Sequence, residues 1–302
     1  MNRLFFIGTV ALFTSGAHAA LSLGLVAYYD FEESGTAGLA NKASGALPGT
    51  NASWSSGTFG NSAGPGFSGD AAFNPGDGLS NRSNLLIGNA LNVVDLNNQY
   101  MIVPLGTPQL GDTFTISAWT NLTHGATNSS ARFHVVESSN SGVYDVSWGT
   151  TSTYSTSGRQ NYVAYVENTT TPVVSGIYQN MWHHVALVYE PDDLGNPTVT
   201  VYVNGNLATT ATDIAGDFAF TSLFFGRGRT GTSDDRDWDG LMDEVAIWNR
   251  ALTPDEINDG IAGPGATSLY QRGLAGIAIP EPSMTLLGAV GMLALLRRRV
   301  GT

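Results

Sequence analysis

At 302 residues the chain suits one large β domain or two small ones, and 37 Gly against only 13 Lys plus Arg favours short strands joined by tight turns. Four of the 13 basic residues (Arg3 and Arg297 to Arg299) and one of the 25 acidic ones (Glu281) lie in the terminal segments, leaving the body 9 against 24, a charge near −15. Such a body repels nucleic acid and anionic lipid and welcomes divalent cations, while the absence of Cys excludes disulfides, thiolate metal sites, cysteine nucleophiles and a lipidated N-terminal Cys.

Residues 1–19 read as a cleavable signal peptide. Arg3 supplies the positive start, Leu4 to Phe13 is an apolar run interrupted by Gly8 and Thr9, and Ala17-His18-Ala19 forms a small-x-small cleavage site. Signal peptidase is therefore an expected partner, and Ala20 the expected mature start. From Leu21 to Gly263 the pattern is strand and turn. In Thr113 to Trp119 the residues Phe114, Ile116 and Ala118 share one face. Trp182 to Tyr189 and Thr198 to Val203 predict a strand pair with an insert at Pro191 to Pro197, and Asn204-Gly205 predicts a hairpin turn. Leu223 to Phe225 and Val245 to Trp248 supply later strands. Thr253 to Asp259 is the one helical stretch, with Thr253 able to cap and Pro254 at the first position. Residues 53–87 form a Gly/Ser/Asn-rich insertion assigned to a loop, and 264–279 a linker.

The C-terminus, 280–302, combines Pro280-Glu281-Pro282, an apolar stretch from Ser283 to Leu296 and Arg297-Arg298-Arg299. The stretch is shorter than the ~20 residues of a stable membrane helix, and the arginines would stay on the cytoplasmic side. This order resembles the PEP-CTERM sorting signal. The resemblance implies processing by an exosortase-type membrane protease and export to the cell envelope, surface or exterior of a Gram-negative-type bacterium. Contact with the membrane is then expected only through this tail before processing.

The body carries a second resemblance. Leu25-Val-Ala-Tyr-Tyr-Asp-Phe-Glu32, Gly88 to Leu91, Gln99 to Pro104, Phe114 to Trp119, Trp182 to Ala186 and Tyr202 to Gly205 follow one another as in LamG-like, concanavalin A-like domains. Asp239 to Thr253 is similar to that family's terminal strand and turn. The resemblance implies an all-β, two-sheet antiparallel jelly-roll sandwich over 20–263. It also implies a structural Ca2+ shared by Glu32 and Asp243, with backbone carbonyls and water completing its six to eight positions. The family commonly has Asp where this chain has Glu32, and Asp30 lies two residues earlier.

Other motifs are weaker. Asp235-x-Asp-x-Asp-Gly240 opens like an EF-hand loop, but its twelfth position is Ala246 rather than Glu. Adjacent His183 and His184 on a strand point to opposite faces, one inward and one outward, and cannot chelate one ion together. Gly226-x-Gly-x-x-Gly231 has no helix after it and three acids nearby, and Gly60-x-Ser-x-Gly64 lacks the strand of a nucleophile elbow. Glu137, Asp145 and Glu167 are scattered and make no paired-carboxylate cluster, so no catalytic residue is assigned. Trp119, Trp182 and Trp248 read as core, whereas Trp54, Trp148 and Trp238 are candidates for the surface. The expectation is a non-enzymatic binding or scaffolding protein whose partner is a glycan or a surface or matrix protein. A polysaccharide-cleaving enzyme and a purely structural matrix protein are the alternatives.

Overall fold

The computed structural model describes residues 21–33, 37, 39–43, 51–55, 89–93, 100–105, 110–111, 113–122, 134–138, 146–150, 159–166, 169–170, 174–178, 180–212, 221–227, 238–260, 268–272 and 274. The expected signal peptide, the expected sorting tail, most of the 53–87 insertion, Asp145, Glu167, Asp235, Asp237, the Gly60 to Gly64 motif and the end of Gly226 to Gly231 lie outside these residues.

Among the described residues every ladder is antiparallel, in two sheets. Sheet A has seven strands: β1 (Leu25–Tyr29), β3 (Leu91–Val93), β5 (Phe114–Leu122), β11 (Trp182–Pro191), β12 (Pro197–Val203), β13 (Asn206–Thr212) and β15 (Gly240–Trp248). They run β1-β15-β5-β11-β12-β13, with β3 also on β15. Sheet B has eight: β2 (Ser53–Trp54), β4 (Met101–Pro104), β6 (His134–Ser138), β7 (Val146–Thr150), β8 (Arg159–Val166), β9 (Thr169–Thr170), β10 (Val174–Tyr178) and β14 (Ser222–Phe225). Their order is β10-β8-β7-β6-β14-β4-β2, with β9 on β8. Two short helices follow, α1 (Pro254–Ile257) and α2 (Leu269–Arg272). The first two residues of the expected loop insertion are thus the edge strand β2, paired with β4.

Alternation decides which side chains meet. On β11, Val185, Leu187 and Tyr189 enter the core between the sheets with Phe114, Ile116 and Ala118 of β5 and with Val103, Leu223 and Phe225 of sheet B. The intervening Ala186 and Val188 face the other way, yet they too are buried. A second apolar layer covers that outer face, built from Leu21, Tyr202, Trp248, Leu252, Ile257, Leu269 and Leu274 among others. Both faces of β5 are therefore buried along its whole length.

Local chemistry fixes this cover. The β12–β13 hairpin turns at Asn204 and Gly205, with φ of 50° and 73°, the pair of positive values that such a turn demands. Thr253 and Glu256 form a reciprocal capping box on α1. Arg250 grips both Glu256 oxygens, at 2.8 and 2.7 Å, and donates to Leu23 O. Trp248 Nε1 donates to Leu21 O at 2.7 Å. Leu269, Tyr270 and Leu274, in the segment expected as linker, are buried against sheet A.

Tryptophan placement corrects the sequence expectation. Trp148 and Trp238 are fully buried in the inter-sheet core, and Trp54 is partly buried against it. These three are expected as surface candidates, but strand parity turns Trp148 inward with its partner Val136. Trp119, Trp182 and Trp248 are buried as expected.

Candidate functional site

The two residues expected to share a cation come together where β15 changes partner. Its first part, Gly240 to Met242, pairs with β3, and its last, Val245 to Trp248, pairs with β1. Between them the register with β5 slips from Asp243 to Ala246. Glu244 takes a left-handed φ of 51° in this bulge, and Asp243 Oδ1 accepts its N–H at 2.8 Å. β1 ends at Tyr29, so Asp30 and Glu32 lie just beyond the strand rather than on one of its faces, and Phe31 is left-handed at φ 54°. Glu32 N donates to Asp30 Oδ1 at 3.4 Å, and Asn89 Nδ2 donates to Glu32 O at 3.0 Å.

The electrostatics are unbalanced. Burial pushes the Asp243 carboxyl well up, and Glu244, Glu32 and Asp30 add to the rise; the N–H of Glu244 opposes it. Glu32 is raised as well, by partial burial and then by Asp30. Lys42 is committed elsewhere, at 2.6 Å from Asp30 and 2.7 Å from Glu33. Glu244 is held by the Tyr28 hydroxyl at 2.8 Å and by Leu274 N at 3.3 Å. The donor set suits a hard cation, with Glu32 exposed and Asp243 buried. Among the described residues no group of three or more His, Cys, Asp and Glu is gathered to hold a metal. A cation held by Glu32 and Asp243 would need carbonyl and water ligands to complete its shell.

A different constellation lies on the outer face of sheet B. Phe224 sits in register with Ile102 on one side and Glu137 on the other, so all three point away from the core that takes Leu223 and Phe225. Tyr100, one residue before β4, packs edge-on against Phe224 at 5.7 Å. Gly226 follows β14 with φ 90°, and a Cβ there would meet Val93 Cγ1 at 2.8 Å, so only glycine fits the turn. That turn brings Arg227 back over the sheet. Its Cζ lies 4.8 Å from the Tyr100 ring centre and 4.7 Å from that of Phe224, and Nε lies 3.4 Å from Glu137 Oε1. The Glu137 side chain is 4 % exposed and that of Arg227 14 %. Sequence spacing does not join residues 100, 137, 224 and 227. The legible signal was the alternation Leu223-Phe224-Phe225, which turns one aromatic outward.

The histidines do point to opposite faces, and both are buried. The expectation that one faces solvent fails because the C-terminal segment covers the outer face. Tyr270 stacks on Trp119 at 5.8 Å and lies 5.7 Å from the His184 ring. His184 Nε2 shares a 2.9 Å hydrogen bond with Ser117 Oγ, and Asn204 Nδ2 donates to His183 Nδ1 at 3.2 Å. This buried network fastens a hairpin to two strands.

Two antiparallel sheets packed over one core, with β5 and β11 in the middle of the first, define a jelly-roll sandwich. The chain belongs to the concanavalin A-like lectin/glucanases superfamily: its Laminin_G_3 family profile matches residues 95–258, more than half of the sequence. No curated protein matches the chain. Solved structures of similar fold include the binding domain of botulinum neurotoxin serotype D, at 14% identity and TM-score 0.50, covering 81% of this chain and 52% of that one. Domain 4 of AbnA, an extracellular GH43 arabinanase from Geobacillus stearothermophilus, solved with arabinotriose, is 17% identical with TM-score 0.49 over 78% of this chain and 97% of its own. A SAP-like pentraxin from Limulus polyphemus is 16% identical with TM-score 0.40 over 51% and 72%. The chain spans about half the length of the neurotoxin domain. At these identities the likeness is one of fold.

Proposed function

We propose that this protein is an exported, non-enzymatic binding or scaffolding module of the bacterial envelope or extracellular matrix, recognising a glycan through the outer face of sheet B. One observation carries this reading: the outer face of sheet A is sealed by the chain's own segments, whereas Ile102, Pro104 and Phe224 on the outer face of sheet B stay partly open to solvent. Export rests on the signal peptide at 1–19, and sorting on the PEP-CTERM-type tail at 280–302, with signal peptidase and an exosortase-type protease as processing partners.

The superfamily's own description spans lectins and glucanases, and the carboxylates favour the first. Glycoside hydrolysis needs two carboxyl groups facing each other across a cleft. On the outer face of sheet B, Glu137 is engaged by Arg227. Asp243 is buried at a strand junction of the other sheet, out of reach of a polymer. A Ca2+ ion held by Glu32 and Asp243 belongs to the same proposal as a structural support, because it would neutralise carboxylates that now repel one another.

A glycan-array screen of the purified chain, with calcium and with chelator, tests this reading. Binding in calcium that falls in chelator or in Asp243→Ala supports a calcium-supported lectin-like module. Binding indifferent to both keeps the lectin and removes the ion. No binding under either condition removes the glycan and leaves a protein partner or a structural role.

A further inference from the structure

Resting on the glycan-binding reading, we infer that Arg227 is the hydrogen-bonding fork of a subsite for neutral sugars, held in place by Tyr100, Phe224 and Glu137. Three features of the geometry lead there. The first is preorganisation. An exposed arginine ordinarily samples many rotamers, and a ligand must offset that entropy. Here the guanidinium lies within 5 Å of two ring centres set edge to face, and Nε is tied to a buried carboxylate.

The second is what remains to be satisfied. A guanidinium carries five N–H donors, and Glu137 meets it at Nε. Among the described residues the two terminal nitrogens make no hydrogen bond to the protein, so the planar pair is left for a ligand with two adjacent acceptor oxygens. Neighbouring hydroxyls of a pyranose or furanose present such a pair. The half-buried rings and Ile102 alongside offer apolar surface to the C–H face of the same sugar.

The third is charge. Glu137 already balances Arg227, so a uronate or sulfated sugar would bring a second negative group against a buried carboxylate. The strongly acidic body adds long-range repulsion of polyanions. Neutral glycans avoid both costs.

Isothermal titration of the full chain with maltohexaose, cellohexaose and xylohexaose, beside hexagalacturonate, tests the assignment. The expected result is binding of at least one neutral oligosaccharide, weakened about tenfold or more in Arg227→Lys because lysine cannot supply the paired fork. The thermal midpoint of the variant serves as the folding control. Tighter binding of hexagalacturonate would overturn the neutral class while leaving the glycan reading intact. Neutral binding unchanged in a folded Arg227→Lys would move the site elsewhere on the protein. No binding of any sugar by the unaltered chain would remove the glycan reading and this subsite with it. Should the variant fold poorly, mass-spectrometric mapping of phenylglyoxal labelling in the unaltered chain replaces it. Protection of Arg227 by saturating sugar supports the subsite, and unchanged labelling overturns it.

Discussion

Truncating Tyr270 tests whether the segment after α1 is part of the folded domain. The side chain is 2 % exposed, stacked on Trp119 with the rings 24° apart, and in contact range of His184. An aromatic side chain buries about 150–250 Å2, and at roughly 25 cal/mol/Å2 the lost transfer energy is on the order of 4–6 kcal/mol, an upper bound because denatured chains already bury part of it. Tyr270→Ala should therefore lower stability by about 3–4 kcal/mol. Gly205 supplies an internal check. With φ at 73° it is strained for any other residue, and an added Cβ would overlap Tyr270 Cδ1, besides meeting Asn258 Nδ2 at 2.8 Å. Gly205→Ala alone should cost at least ~2 kcal/mol, and the double variant should be less harmed than the two costs summed by about 1 kcal/mol, since Tyr270 is no longer in the way. Urea unfolding followed by tryptophan fluorescence measures all three, with Trp119 as a local reporter. A loss below about 1 kcal/mol in Tyr270→Ala with an unchanged m-value would show that the segment rests on the domain without sharing its cooperativity. Strict additivity would refute the contact with Gly205.

The other predictions are shorter. Because the folded Asp243 carboxyl titrates above its unfolded value of about 3.9, the folded state binds the extra proton above that pH. Its contribution therefore falls as pH rises from about 4 through the raised folded value. Asp243→Asn should flatten that fall in chemical denaturation, and calcium should flatten it in the unaltered chain but not in the variant; an unchanged slope in Asp243→Asn would place the repulsion elsewhere. Gly226→Ala should cost ~2 kcal/mol or more, from the left-handed φ and the clash with Val93, and should also abolish sugar binding by displacing Arg227, read by melting and titration together. Thr253→Ala should lose about 1 kcal/mol in urea unfolding by removing the capping-box acceptor of Glu256 N.

Much of the sandwich was legible because its signals are local. Asn204-Gly205 dictates a hairpin whatever surrounds it, and Thr253-Pro254 with Glu256 three residues on dictates a helix start. The facing of Phe114, Ile116 and Ala118 follows from a period of two. What parity cannot say is whether the opposite face is wet. Trp119, Ser117 and His184 alternate as an outward set should, and they are buried because Tyr270, far later in the chain, lies over β5. The candidate site divides the same way. The Glu32 and Asp243 pairing is an expectation from family order; what sequence could not show is that Glu244 stands beside Asp243 in a left-handed bulge, which has no sequence signature in a non-glycine residue. The Arg227 constellation draws on β4, β6, β14 and the turn after β14, so only the folded register assembles it.

That register also relates the binding face to the ends of the described chain. Leu21 packs on sheet A beneath Trp248, and Leu274 donates to Glu244 in the same sheet. Both ends of the described body thus lie against sheet A, and its outer layer is made largely from them. Sheets in such sandwiches pack about 10 Å apart, so the outer face of sheet B lies one full sandwich thickness away from either end. The second apolar layer therefore buries the back of sheet A, contributing stability that a cysteine-free chain cannot draw from disulfides, and leaves the outer face of sheet B as the one proposed for binding.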